Sequence, residues 1–218
     1  MIITVSGNFE LGLPAERGTV QLTAGAEGAN REAVARQASG VTEALRRELV
    51  QLRESGAVTW YSVGAQTTSA WHPYNHGAEL PLRYRANSSV KVKFGDFAAL
   101  SARGSQWAET TGLSVDGVEW TLTVATRERV KDEVLAGAVA DATHRAGVMA
   151  AAAGCGTPQV IAIADPGLLD NVSSGDPGTA FGSPTLMRGV TSGQGDGVVE
   201  LSPEDITVGS TVEVRFQA

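Results

Sequence analysis

His72 and His76 stand four residues apart in WHPYNH, within the aromatic stretch 71–77. On a helix that spacing puts two imidazoles on one face, where they can share a metal ion. Pro73 and the β-rich runs on either side argue against a helix there. Glu79 is the one acid close by, and a zinc site needs three or four ligands. No metal or other cofactor is therefore assigned. Trp71, His72, Tyr74 and His76 have a second possible use as contact residues. Aromatic side chains are enriched at protein interfaces, so these four are the candidate surface for another subunit or a protein partner.

Other reactive groups point to structure. Cys155 is the single cysteine, which excludes an intramolecular disulfide. It follows the end of an expected helix, where the negative end of the dipole makes a thiol a poor nucleophile. Asp141 and Arg145 are four apart on that helix and are spaced for an ion pair. His144, between them, is read as a helix-surface residue and not as a general base. The nucleophile-elbow, phosphate-loop and dinucleotide fingerprints are absent, and Gly193-Gln-Gly195-Asp-Gly197 lacks the strand–helix context of a phosphate site. No catalytic residue is assigned.

RYRANSSVKVKF (83–94) alternates with period two. Arg83, Arg85, Asn87, Ser89, Lys91 and Lys93 point one way as a strand, and Tyr84, Ala86, Ser88, Val90, Val92 and Phe94 the other. A nucleic-acid reader needs aromatic rings among its exposed cations. Tyr84 and Phe94 fall on the opposite face. The chain also carries a net charge of −7, which gives no long-range attraction to phosphate. Nucleic acid is therefore not an expected partner. The cations are read as a solvated face that also discourages edge-to-edge aggregation.

These groups need elements to hold them. Residues 2–7 and 19–28 alternate as strands. Asn30 is placed as an N-cap, with Glu32 in the first turn. Val34, Ala38, Val41, Leu45, Leu49 and Leu52 then mark one face of a long helix that Gly56 closes. A β-rich run at 58–71 and the strand 80–94 make a long hairpin. Residues 97–109 suit a short helix, and 113–124 a strand. A second long helix covers about 127–153, with a stripe of Val130, Val134, Ala138, Ala142, Ala146 and Met149. Strands at 157–165 and 206–216 complete the chain. Strand, helix, strand, strand occurs twice, at 19–94 and at 113–216. The expected class is α+β: two βαββ-like pseudo-repeats, mostly antiparallel, with two long helices packed against the sheet. The expectation is a single domain over 1–218, with two subdomains at about 1–95 and 96–218.

The stretch 166–199 carries eight glycines. A connection this long is either a flexible surface excursion or a ligand lid. Under the second reading Asp165, Asp170 and Asp176 are candidate acids of a hydrolytic or small-molecule site. There is no basic, apolar and small-residue leader pattern at the N-terminus, and no window long enough to span a membrane. A cytoplasmic location is expected, or a periplasmic or secreted one if a leader has been removed.

Several segments carry a resemblance. The Tyr-Arg-Ala and Ser-Val-Lys-Val of 84–92 resemble a signature of the SIMPL domain family, which includes the YggE-type oxidative stress defence proteins. VSGNFE (5–10) resembles the family's Val-Thr/Ser-Gly-x-Gly opening, with Phe9 where a small residue is usual. AVADATHRAGVMAAAAG (138–154) resembles a family helix through Ala138, Asp141, Ala142, Arg145, Ala146, Ala150 and Gly154. The terminal strand is also similar. The resemblance implies an α+β fold and self-assembly, in some members into rings. It implies a link to stress resistance, and in an animal member to kinase signalling. It supplies no agreed catalytic residues. The expected function is a non-enzymatic, homo-oligomeric binding or scaffold protein.

Overall fold

In a computed structural model of the chain, the described residues are 1–75, 78–79, 81–169, 203 and 205–218. The elements in chain order are β1 (Ile2–Leu13), β2 (Arg17–Gly28), α1 (Arg31–Glu54), β3 (Val58–Val63), β4 (Thr67–Trp71), β5 (Tyr74–Asn75), β6 (Ala78–Glu79), β7 (Arg83–Phe94), α2 (Phe97–Glu109), β8 (Leu113–Thr121), α3 (Val124–Ala152), β9 (Gln159–Ala164) and β10 (Ile206–Gln217). Helices packed on antiparallel sheets make this an α+β protein.

The described residues fall into two compact units. An inserted unit contains Ala15–Thr121. A terminal unit contains Met1–Pro14, the chain from Leu122 to 169, and Asp205–Ala218. The strand–helix–strand–strand order appears in each, as β2-α1-β3-β7 and as β1-α3-β9-β10. The sheets have matching orders, β3-β7-β2 and β9-β10-β1. The strand that opens the second copy is β1. The segment 113–124 had been expected in that role, but β8 pairs with β2 in the inserted unit. Strand pairing thus crosses the expected boundary near residue 95, because β1 lies against β10 from Ile2↔Gln217 to Leu13↔Ile206.

In the inserted unit Asn30 caps α1, its side chain accepting from the Ala33 N–H at 3.0 Å. Val34, Ala38, Leu45, Leu49 and Leu52 are buried as the periodicity requires. Leu45, Leu49 and Leu52 share a core with Val20, Leu22, Val90, Val92 and Phe94. Asp96 caps α2 by accepting from Ala98 and Ala99. The buried Trp107 ring of α2 lies 6.0 Å from Phe94. Its Nε1–H donates to Glu48 of α1 at 3.1 Å, so the buried indole keeps its hydrogen bond.

In the terminal unit α3 begins at Val124, three residues before the expected start, because Thr123 caps it through the Thr126 N–H. Its buried stripe is Val130, Val134, Ala138, Ala142, Ala146 and Ala150. Met149, expected in that stripe, is 46% exposed. A run in steps of four reaches position 150 and leaves 149 on the flank. Gly56 and Gly154 follow α1 and α3 with φ of 80° and 70°, the left-handed conformation that closes a helix.

The alanine stripe has little area to bury, so its packing depends on distance. Gly7 on β1 provides it. A Cβ there would lie 2.1 Å from the Ala138 carbonyl oxygen and 2.7 Å from the Ala142 Cβ. One position further along that face, Phe9 fills the space above Gly137, whose missing Cβ would stand 2.5 Å from the Phe9 ring. The large residue at 9 is therefore matched by the absence of a side chain at 137.

Gly7→Ala is expected to destabilise by roughly 3 kcal/mol or more, because the clash is with helix backbone that cannot yield. Gly137→Ala is expected to destabilise the wild type. In a Phe9→Ala background the same change should stabilise by about 0.5–1 kcal/mol, the usual gain of alanine over glycine in a helix. Urea unfolding of the four variants in this cycle checks the change of sign.

Candidate functional site

The face of the inserted sheet turned away from α1 carries the exposed chemistry. On β7 Arg83, Arg85, Ser89 and Lys91 are exposed, while Ala86, Ser88, Val90, Val92 and Phe94 are buried. The period-two reading of this strand therefore holds. The structure adds two rings to the cationic face. Val58 lies opposite Phe94, but Trp60 lies opposite Lys93, because the ladder slips at Thr59. That bulge moves Trp60 from the core side to the wet side. Trp60 is 46% exposed, with the Lys93 ammonium 5.7 Å from its ring. On β4 Trp71 lies opposite Arg83, with the Arg85 guanidinium 5.0 Å from its ring. Both are cation–π contacts.

Arg85 is also ion-paired through Nε–H to Glu27, its register partner on β2. A shallow open groove begins there, lined by Thr23, Glu27, Arg85, Asn87, Ser114 and Asp116 among others. Its carboxylates are already engaged: Asp116 accepts from Thr23 at 2.8 Å and from Ser114 at 3.2 Å. Charge on this face is segregated. Cations line β7, and Glu27, Asp116 and Glu119 sit on the β2 and β8 side.

The four proposed contact residues are placed as follows. Trp71 ends β4, and exposed His72 follows it. Tyr74 lies in β5, paired with Glu79 of β6 in a two-stranded ribbon at the hairpin tip. His76 lies outside the described residues. Among the described residues no group of three or more metal-ligating side chains occurs. Asp165 is exposed, while Asp170, Asp176 and the glycines 193–197 lie outside the described residues. His144 is exposed on α3, and Cys155 is half-buried. Among the described residues no helix is long and apolar enough to cross a membrane. Sequence reasoning missed Trp60. The run 58–71 reads only as β-rich; strict period two from buried Val58 would put Trp60 on the core side, and only pairing with β7 reveals the bulge.

Asp141 and Arg145 do not form the expected ion pair. Among the described residues β1 is an edge strand, with β10 on one side. Asp141 accepts from the Asn8 backbone N–H at 3.0 Å, and Arg145 donates to the Ser6 carbonyl. The two side chains thus occupy the acceptor and donor positions that a further strand would take. They flank Gly7, where α3 lies closest. The opening VSGNFE and the helix 138–154 are therefore two sides of one contact. The family model of SIMPL, a protein of unknown function (DUF541), matches residues 3–216. The chain belongs to the SIMPL family. No curated protein matches it. In this SIMPL protein the residues that carry the family resemblance on α3 pack against β1, clamp its edge or close the helix.

Asp141→Ala should remove about 1 kcal/mol of stability, as one hydrogen bond to a partly exposed amide is lost. The Asn8 amide should then exchange faster with solvent than in the wild type. Amide exchange followed by NMR checks both effects.

Proposed function

We propose that this SIMPL protein is a non-enzymatic, homo-oligomeric binding or scaffold protein with a stress-protective role. The observation that carries the self-association is the state of β9. It is the outer strand of its sheet, and among the described residues it pairs only with β10. Its sequence QVIAIA contains no charge. Val160, Ile161 and Ile163 are 46%, 50% and 54% exposed. An apolar edge with open backbone groups favours strand addition, and isolated proteins usually guard such edges with lysine, proline or a covering element.

The opposite edge supports the same reading. β1 has two of its backbone groups, the Asn8 N–H and the Ser6 carbonyl, taken by Asp141 and Arg145, whereas β9 has no comparable side-chain clamp among the described residues. Trp71, His72, Tyr74 and His76 are proposed as a second contact surface, for another subunit or a protein partner. The role of the α3 motif residues in packing supports the non-enzymatic part of the reading. The stress-protective role rests on the family resemblance.

Light scattering after size exclusion, over a range of concentrations, should give a discrete multiple of the 22.6 kDa chain mass. Ile161→Lys with Ile163→Lys should shift that mass to the monomer while leaving circular dichroism unchanged. A wild-type chain that stays monomeric at every concentration would refute the oligomeric reading.

A further inference from the structure

We infer that the outer face of the inserted sheet binds single-stranded nucleic acid along β7. The surface consists of Arg83, Arg85, Lys91 and Lys93 with Trp60 and Trp71. A basic strand alone is most simply a solvated face. The two tryptophans change that reading, because they stand at the ends of the cationic row and not under the helices.

The positions suit a linear polyanion. Trp60 is opposite Lys93 and Trp71 opposite Arg83. Ten residues of strand separate those partners, roughly 33 Å at about 3.3 Å per residue. One small ligand cannot reach both rings, but an extended strand of several nucleotides can. Between the rings Lys91 is exposed, and Arg83 and Lys91 make no ion pair among the described residues. Among the described residues the carboxylates on this face belong to β2 and β8, and Glu27 is occupied by Arg85. Charge therefore favours an anion on the β7 half and disfavours one on the β8 half. Single-stranded chains bind without strict sequence preference when a basic track supplies phosphate contacts and aromatic rings supply stacking. Trp60, half exposed beside Lys93, offers both in one place. Arg85 is neutralised by Glu27, so the local field comes from Arg83 at one end and from Lys91 and Lys93 at the other, and the chain's overall net charge of −7 does not cancel it where the other charges lie farther off than the screening length of about 8–10 Å at physiological salt.

The test is fluorescence anisotropy of a labelled oligo-dT 20-mer titrated with the full chain at low and at physiological salt. Saturable binding that weakens as salt rises is expected. Trp60→Ala and Trp71→Ala should each weaken it roughly tenfold, the scale of losing one stacked base. Lys91→Gln should lower the slope of log affinity against log salt by about 0.7, the value for one phosphate contact on a single strand. Both Trp60 and Lys91 are open to solvent; circular dichroism confirms the fold of each variant, and light scattering confirms that Trp71→Ala, which also removes a proposed subunit contact, keeps the wild-type mass. Absence of binding at low salt overturns the inference. So does displacement of the labelled strand by inorganic polyphosphate as effectively as by unlabelled oligo-dT, with affinity unchanged in the tryptophan variants, which would reduce the strip to charge alone. Stronger competition by polyglutamate than by oligo-dT would also overturn it, and would assign the face to an acidic polypeptide.

Discussion

The terminal unit depends on how closely α3 can approach β1. Its stripe from Ala138 to Ala150 offers single methyl groups, so the contact gains from proximity and not from large side chains. Gly7 sets that distance by having no Cβ between the strand and the helix backbone. Once α3 is that close, side chains on its flanks can reach the edge of β1. Asp141 and Arg145 then satisfy the backbone on both sides of Gly7. Packing and edge protection are thus one event. The strand is seated by what residue 7 lacks and closed by what residues 141 and 145 provide.

This constraint accounts for the order of the terminal sheet. β10 lies in the centre, with Val212, Val214 and Phe216 buried against α3. β1 is held on one side by β10 and on the other by the helix side chains. β9 is the remaining edge, and its apolar residues are left half exposed. The inserted unit uses the same order of elements with a different balance. Its helix α1 supplies leucines, and α2 adds Trp107 against Phe94. Those larger side chains fill the space between helix and sheet, and the unit's chemistry is displayed on the opposite, polar face. The two units share a connectivity but differ in which surface remains available, an apolar edge in one and a charged aromatic face in the other.

The outer face of the inserted sheet shows how small a backbone irregularity can alter a surface. A regular ladder from Val58 and Phe94 would put Trp60 opposite Val92, on the core side. The extra residue at Thr59 puts it opposite Lys93. A period-two structure has no intermediate option, so one bulge exchanges a buried ring for an exposed one. The same irregularity leaves Tyr61 to pack with the core. Lys93 and Trp60 come into contact only because of that slip.

Patterns that act over a few residues were legible in the chain. The alternation of 83–94 assigned every β7 side chain to its face. The steps of four and three from Val34 to Leu52 identified the core stripe of α1, and Asn30 identified its cap, because caps and helical faces depend on neighbours within one or two turns. The family and the α+β class followed from such segments in order. Contacts between distant segments were not legible. Asp141 and Arg145 are spaced for each other, yet each bonds to a strand more than 130 residues away in sequence. β8 follows α2 and reads as the start of a second repeat, but it pairs with β2, while β1 takes the place beside β10. Strict alternation from Val58 would put Trp60 on the core side until its partner strand is known. The chain alone settles which residues share a face within an element, because backbone geometry repeats locally. Which strand lies beside which, and with what register, was decided only when the sheets assembled, because edge hydrogen bonds and the room left by a glycine depend on atoms that local spacing does not specify.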